Sequence, residues 1–227
     1  MTSFLASQSL VQISALVILI LGAILAFFLT LNYVRLRKAS YLFWSAGLWL
    51  FALGVLEELL FASGYYNEIL IATYLGIVAV LVNLLAIGSM MLVGSRLARN
   101  AYYVFSILSA LALAVVLATE NAGNLLLNYV VAGNPPTLIV VFSSVITFPA
   151  AAVLLVTAAM SYMKTKSNKM LSIIAGVVVI SVAGSLYIAQ FPAFLYYSEF
   201  VGILLLWFGF FNIPHRENAS AAQPAAT

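Results

Sequence analysis

At 227 residues, with 65% hydrophobic and only 7% charged side chains, the chain excludes an ordinary soluble domain, in which about a quarter of residues carry charge. It has no Cys and no Asp, and its one His is residue 215, which excludes disulfides, iron–sulfur ligation, zinc sites of His and Cys, and a Ser-His-Asp triad. The net charge of +3 comes from nine Lys and Arg residues set at the ends of apolar segments rather than in a patch, which points to membrane topology and away from nucleic acid.

Residues 1–9 read as a short polar segment on the outer side. The apolar stretch from Leu10 to Val34 ends in Arg35-Leu36-Arg37-Lys38. It is too long for the core of a signal peptide and lacks a basic region before it, so a retained first span is expected. Gly22 and Ala26 in it form a small-xxx-small pair suited to close helix approach. A second span over about 41–63 opens with interfacial aromatics (Tyr41, Phe43, Trp44, Trp49) and ends with Glu57-Glu58 still inside apolar sequence. Gly64 to Glu68 makes an outer turn. A third span, about 69–95, carries Asn83 near mid-membrane and stops at Arg96 and Arg99. A fourth, about 101–119, repeats small residues at Ser106, Ala110, Ala114 and Ala118, a stripe expected to pack inside a bundle.

Residues 120–136 form the longest loop, punctuated by Asn and Gly at 121–124 and by Gly133-Asn134-Pro135-Pro136, with 125–131 expected on the outer surface. Span five, about 137–163, contains Pro149, a candidate hinge because proline removes a helix hydrogen bond. Lys164, Lys166 and Lys169 follow. Spans six (about 170–191) and seven (about 193–212) complete an all-α bundle over residues 10–213, and 214–227 read as a disordered cytoplasmic tail. With the N-terminus outside, all nine basic residues fall on the cytoplasmic side, as the positive-inside rule requires, giving a multi-pass protein of the cell membrane.

Two halves of the chain share an order of features. Tyr33-Val34-Arg35-Leu36-Arg37 corresponds to Tyr162-Met163-Lys164-Thr165-Lys166, Ala46-Gly47 to Ala175-Gly176, and Tyr65-Tyr66-Asn67-Glu68 to Tyr196-Tyr197-Ser198-Glu199. This suggests two three-helix units joined by a fourth helix, an arrangement found in repeat-built transporters. Basic residues and tyrosines also belong at membrane boundaries, so topology alone accounts for part of the match.

The carboxylates are the chemistry-bearing residues. Glu57, Glu58, Glu68, Glu120 and Glu199 fall in the outer half or outer loops, where no Lys or Arg is available. Glu57 lies 16 residues past Tyr41, roughly 24 Å along a helix, hence in hydrocarbon. Burying an ionised carboxylate without a partner is costly, which favours protonation or an approaching cation. Adjacent positions point about 100° apart, so at most one of Glu57 and Glu58 is expected to face the core. Tyr65, Tyr66, Asn67, Gln190, Tyr196 and Tyr197 are the expected hydrogen-bonding neighbours. Glu57, Glu58, Glu199 and Asn83 are therefore the candidate ligand or ion site, because ionisable residues inside a membrane default to functional hypotheses. The competing reading places Glu58 and Glu199 at wet headgroup level and gives Asn83 to a helix–helix hydrogen bond. No catalytic residue, metal site or cofactor is indicated.

Residues 31–76 resemble the amino-terminal seven-helix sensor region found ahead of some histidine kinase and diguanylate cyclase domains. The likeness is carried by Tyr33-Val34-Arg35-x-Arg37, by Ala52-Leu53-Gly54 followed by Glu58-Leu59, and by Tyr74-Leu75-Gly76. Two departures accompany it: Trp49 stands in place of a Trp expected at the position of Phe51, and no effector or coiled-coil sequence follows the seventh span. The resemblance implies a non-enzymatic, sensor-like module acting through separate partner proteins in the membrane or at its cytoplasmic face. The alternatives are a small carrier or channel for protons, cations or a small polar solute, and a structural subunit of a larger membrane complex.

Overall fold

The computed structural model describes residues 8–123, 125–127, 130–131, 134–166, 168, 171–176, 179 and 192–211. The expected outer segment up to residue 7, most of span six and the tail from 212 onward lie outside the described residues. Within them the protein is all-helical apart from one small hairpin. The elements are α1 (Gln8–Leu36), α2 (Ala39–Ala62), α3 (Glu68–Met90), α4 (Arg96–Thr119), β1 (Leu126–Leu127), β2 (Val130–Val131), α5 (Thr137–Thr165) and a C-terminal helix, α6 (Pro192–Phe211). The helices α1 to α5 are long and apolar enough to cross a membrane. The chain is a membrane protein with multiple transmembrane helices.

Each helix of the first hairpin begins and ends for a local reason. At the close of α2, Gly64 adopts φ +85°, while its N–H bonds Phe61 O and that of Tyr65 bonds Leu60 O, closing the last turn as a Schellman motif. Asn67 then caps α3, its side chain accepting from Leu70 N at 2.7 Å. This five-residue turn makes α2 and α3 antiparallel neighbours. Trp44 locks their inner ends, donating from Nε1 to Leu85 O at 3.2 Å and Ser89 Oγ at 3.3 Å. Only glycine fits at 88, because a Cβ there would lie 2.5 Å from Trp44 Cδ1 and 3.0 Å from Ser40 O.

α1 packs along α2, α2 along α3, and α3 along both α4 and α5. The C-terminal helix returns to α1, where Trp207 Nε1 donates to Leu21 O at 3.0 Å. The main core joins Val11, Ile18, Leu25 and Leu29 of α1 to Leu48, Phe51 and Val55 of α2 and to Ile203, Leu206 and Phe210. Gly22 meets the Phe51 ring and Ala26 is fully buried, so this small pair lies at the α1–α2 seam.

Two boundaries differ from expectation. The third helix stops at Met90 rather than near 95, and α4 starts at Arg96, capped by the Ser95 hydroxyl, which accepts from Ala98 N. Arg96 and Arg99 thus sit in the first turns of α4, against the preference of a helix N-terminus for anions. The need to keep them out of hydrocarbon outweighs that term. The small-residue stripe of α4 packs in its first half alone: Ser106 is buried with Ser109 and Leu113 and Ala110 is half-buried, whereas Ala114 and Ala118 are exposed. α5 is helical on both sides of Pro149.

α1 and α5 match closely. Both are 29 residues long, and Gln8 to Thr137 and Leu36 to Thr165 are equal steps along the chain. Both are followed by a left-handed basic residue, Arg37 at φ +52° and Lys166 at φ +51°. The N–H of each bonds the carbonyl of a tyrosine four residues back, at 2.8 Å to Tyr33 and 2.7 Å to Tyr162. Each cation also lies over that tyrosine's ring, at 6.0 and 5.6 Å from the centroid.

Candidate functional site

The antiparallel α2–α3 pairing brings residues from the two sides of the turn against one another. Glu57 meets Thr73, whose hydroxyl donates to Oε1 at 2.9 Å, and Glu58 meets Tyr74, whose phenol donates to Oε1 at 2.6 Å. The two carboxylates diverge as adjacent helical positions must. Glu57 is half-buried toward the outer end of the hairpin, while Glu58 is 5% exposed. The second oxygen of Glu58 is buried and has no hydrogen-bond partner among the described residues. That is a costly state for a carboxyl group in a low-dielectric interior.

Glu58 opens into a cavity of about 560 Å³ bounded by α2, α3, α5 and the C-terminal helix. Glu199, on the C-terminal helix, lines the same cavity, and its Oε2 is likewise buried without a partner. The charges of the two carboxyl groups bear directly on one another. Among the described residues, no basic side chain lines the cavity at this end. Lys38 lines the opposite, inner end, with Ser40, Tyr41 and Trp44. Between the ends the wall is chiefly apolar, with Leu48, Phe51, Val55, Leu85, Leu154 and Leu206. Ser143, Thr147, Thr157 and Ser161 of α5 add hydroxyls along one side. Such an arrangement binds a positive or hydrogen-bond-donating group at one end and apolar surface along its length.

Of the four residues singled out from the sequence, the structure brings Glu58 and Glu199 together. Glu57 points instead toward Thr73 at the α2–α3 seam. Asn83 lies away from the cavity and ties α3 to α4: its Oδ1 accepts from Tyr102 OH at 3.1 Å and Ser106 Oγ at 2.9 Å, and its Nδ2 donates to Ser106 O at 3.4 Å. Pro149 is half-buried on α5. Among the expected hydrogen-bonding neighbours, Tyr65, Tyr66 and Tyr197 are exposed, and Asn67 caps α3. Gln190 and the side chain of Tyr196 lie outside the described residues. Sequence reasoning missed Tyr74, although a signal existed. Glu57 and Thr73 are each five residues from the turn, the pairing that an antiparallel hairpin sets, and the next residue on each helix gives the Glu58–Tyr74 bond.

A second, outer groove between α3 and α4 is lined by Glu68, Glu120 and Asn121, with Asn121 Nδ2 donating to Glu68 Oε1 at 3.2 Å. No group of three or more metal-ligating side chains occurs among the described residues. No protein-family model, curated protein or solved structure matches this chain, so its function is argued from the site itself.

Proposed function

We propose that this chain is a non-enzymatic, sensor-like module of the cell membrane that binds a small cationic or amine-bearing ligand from the outer side and acts through partner proteins. One observation carries the reading. Glu58 is held by Tyr74 through one oxygen, its other oxygen is buried without a partner among the described residues, and it lines one cavity with Glu199, whose Oε2 is in the same state. Buried polar groups are ordinarily satisfied, and a pair of acids with unpartnered oxygens beside a cavity is a place for a donor to arrive. We read the Tyr74–Glu58 pair as holding a carboxyl group for a ligand, so binding rather than catalysis is the activity proposed.

The proposal includes seven spans in a three-one-three order. What supports it is the equivalence of α1 and α5 in length, in chain position and in the left-handed Arg37 and Lys166 corners. A second reading, a small carrier for protons, cations or a small polar solute, is favoured by the hydroxyls of Ser143, Thr147, Thr157 and Ser161 along a cavity that runs from Pro135 to Lys38.

The test uses the full chain in lipid nanodiscs, its thermal unfolding followed while butylammonium is added. Stabilisation that is lost in both Glu58→Gln and Glu199→Gln is expected. Equal response in wild type and both variants would overturn the acidic site. Methylammonium flux through liposomes carrying the protein, abolished by the same variants, would replace the sensor reading with the carrier.

A further inference from the structure

The cavity is much longer than a small cation needs. Glu58 and Trp44 both line it and stand fourteen residues apart on one helix, roughly 21 Å along the axis. All of its acidity is at the Glu58 end, and the walls below are Phe51, Leu48, Leu85, Leu206 and Phe210. A small hydrated ion would satisfy the acids but leave this apolar length unfilled. Water is a poor occupant of such a space, because it needs two to four polar partners at each position and apolar cavities stay dry. The α5 hydroxyls do not supply enough of them: Thr157 already donates to Val153 O and Leu154 O of its own helix. An apolar molecule with no head would leave the Oε2 atoms of Glu58 and Glu199 unpaired.

From this we infer that the ligand is a single amphipathic amine: a primary ammonium head between Glu58 and Glu199, and an unbranched hydrocarbon tail lying along α2 toward Trp44. The inference rests on the reading of Glu58 and Glu199 as a binding site and adds the chemical class of what binds. An ammonium group carries three donors, which match the two open carboxyl oxygens and leave one for the hydroxyls of α5. Each methylene that leaves water for the cavity strengthens binding by a factor of about four. The tail, rather than the head, therefore sets the affinity.

The experiment is photo-labelling of the full chain in nanodiscs with two primary amines, a butylamine and a dodecylamine, each bearing a diazirine at the end of its chain. Label positions are read by mass spectrometry. The short probe is expected on residues beside the head, Val55, Tyr74 or Ile139. The long probe is expected at the inner end, on Leu48, Leu85, Leu206 or Phe210. Unlabelled dodecylamine should reduce both signals at least tenfold, and Glu58→Gln should do the same. Competition in the wild-type protein needs no variant, so the test survives a variant that fails to fold. If the short probe labels beside Glu58 while the long one labels only lipid-facing positions such as Ile20, Ile24 and Leu111, the head site stands and the tail inference falls. If neither labels the cavity, the acidic site falls with it.

Discussion

Glu58 and Asn83 invite comparison because so much about them is alike. They sit on adjacent helices, they are 5% and 3% exposed, and each is a polar side chain inside a membrane protein. Their surroundings differ. Asn83 has both ends of its amide engaged by α4, through Tyr102 and Ser106. Glu58, which lines a cavity, has one oxygen engaged and one buried without a partner among the described residues. Burial by itself therefore says little about role. A satisfied polar group holds two helices together, and an unsatisfied one beside empty volume is available to something else.

Four substitutions bear on that contrast, beginning with the largest effect. Glu58→Gln should reduce amine labelling of the cavity at least tenfold while leaving thermal stability in nanodiscs unchanged or higher, since a neutral amide is cheaper to bury than a carboxylate. Asn83→Leu should do the reverse. It leaves the Tyr102 and Ser106 hydroxyls without their acceptor and should lower stability by about 2 kcal/mol in a denaturing-detergent titration, with labelling unaltered. A loss of labelling in Asn83→Leu at intact stability would break the comparison. Tyr74→Phe removes the one donor to Glu58 and should weaken amine binding by about three- to tenfold, measured by competition against the short probe. Thr73→Val deletes the hydroxyl on half-buried Glu57 and should move stability by less than about 0.5 kcal/mol and leave binding alone.

Much of the architecture could be read in the residues because the bilayer leaves few alternatives. Apolar runs must be helices that satisfy their own backbone, and clustered Arg and Lys must stay out of hydrocarbon. That is why the extents of α1, α2 and α5 agree with the sequence reading to within a few residues at each end. Where the reading failed, two terms competed. The basic run at 96–99 read as a loop because cations are poor neighbours for a helix start, yet Ser95 provided a cap and helix formation began there. The stripe through Ala114 and Ala118 failed because small residues suit a lipid-facing surface as well as a packed one, and spacing does not distinguish the two. At the site, the divergence of Glu57 and Glu58 followed from their adjacent helical positions, but the partner of Glu58 did not. Attention to residues near in sequence favoured Tyr65 and Tyr66, whereas hairpin geometry selects Tyr74. Nothing in the spacing alone places Glu199 beside Glu58, since that depends on how the last helix returns to the first.

The hydrogen bond from Trp207 to Leu21 joins residues 186 positions apart. During synthesis at about 5–20 residues per second, the tryptophan is made roughly 10–40 s after the carbonyl it will reach. For that interval the first helix waits in the bilayer with part of its packing surface facing lipid or an escort. The wall that carries Glu199 arrives in the same late step. A ribosome-bound chain stalled before residue 199 would hold its first five helices and the open oxygen of Glu58, but no second acid to share a ligand with. Under the proposed function, binding of an amine at the two acids would therefore wait for the last helix.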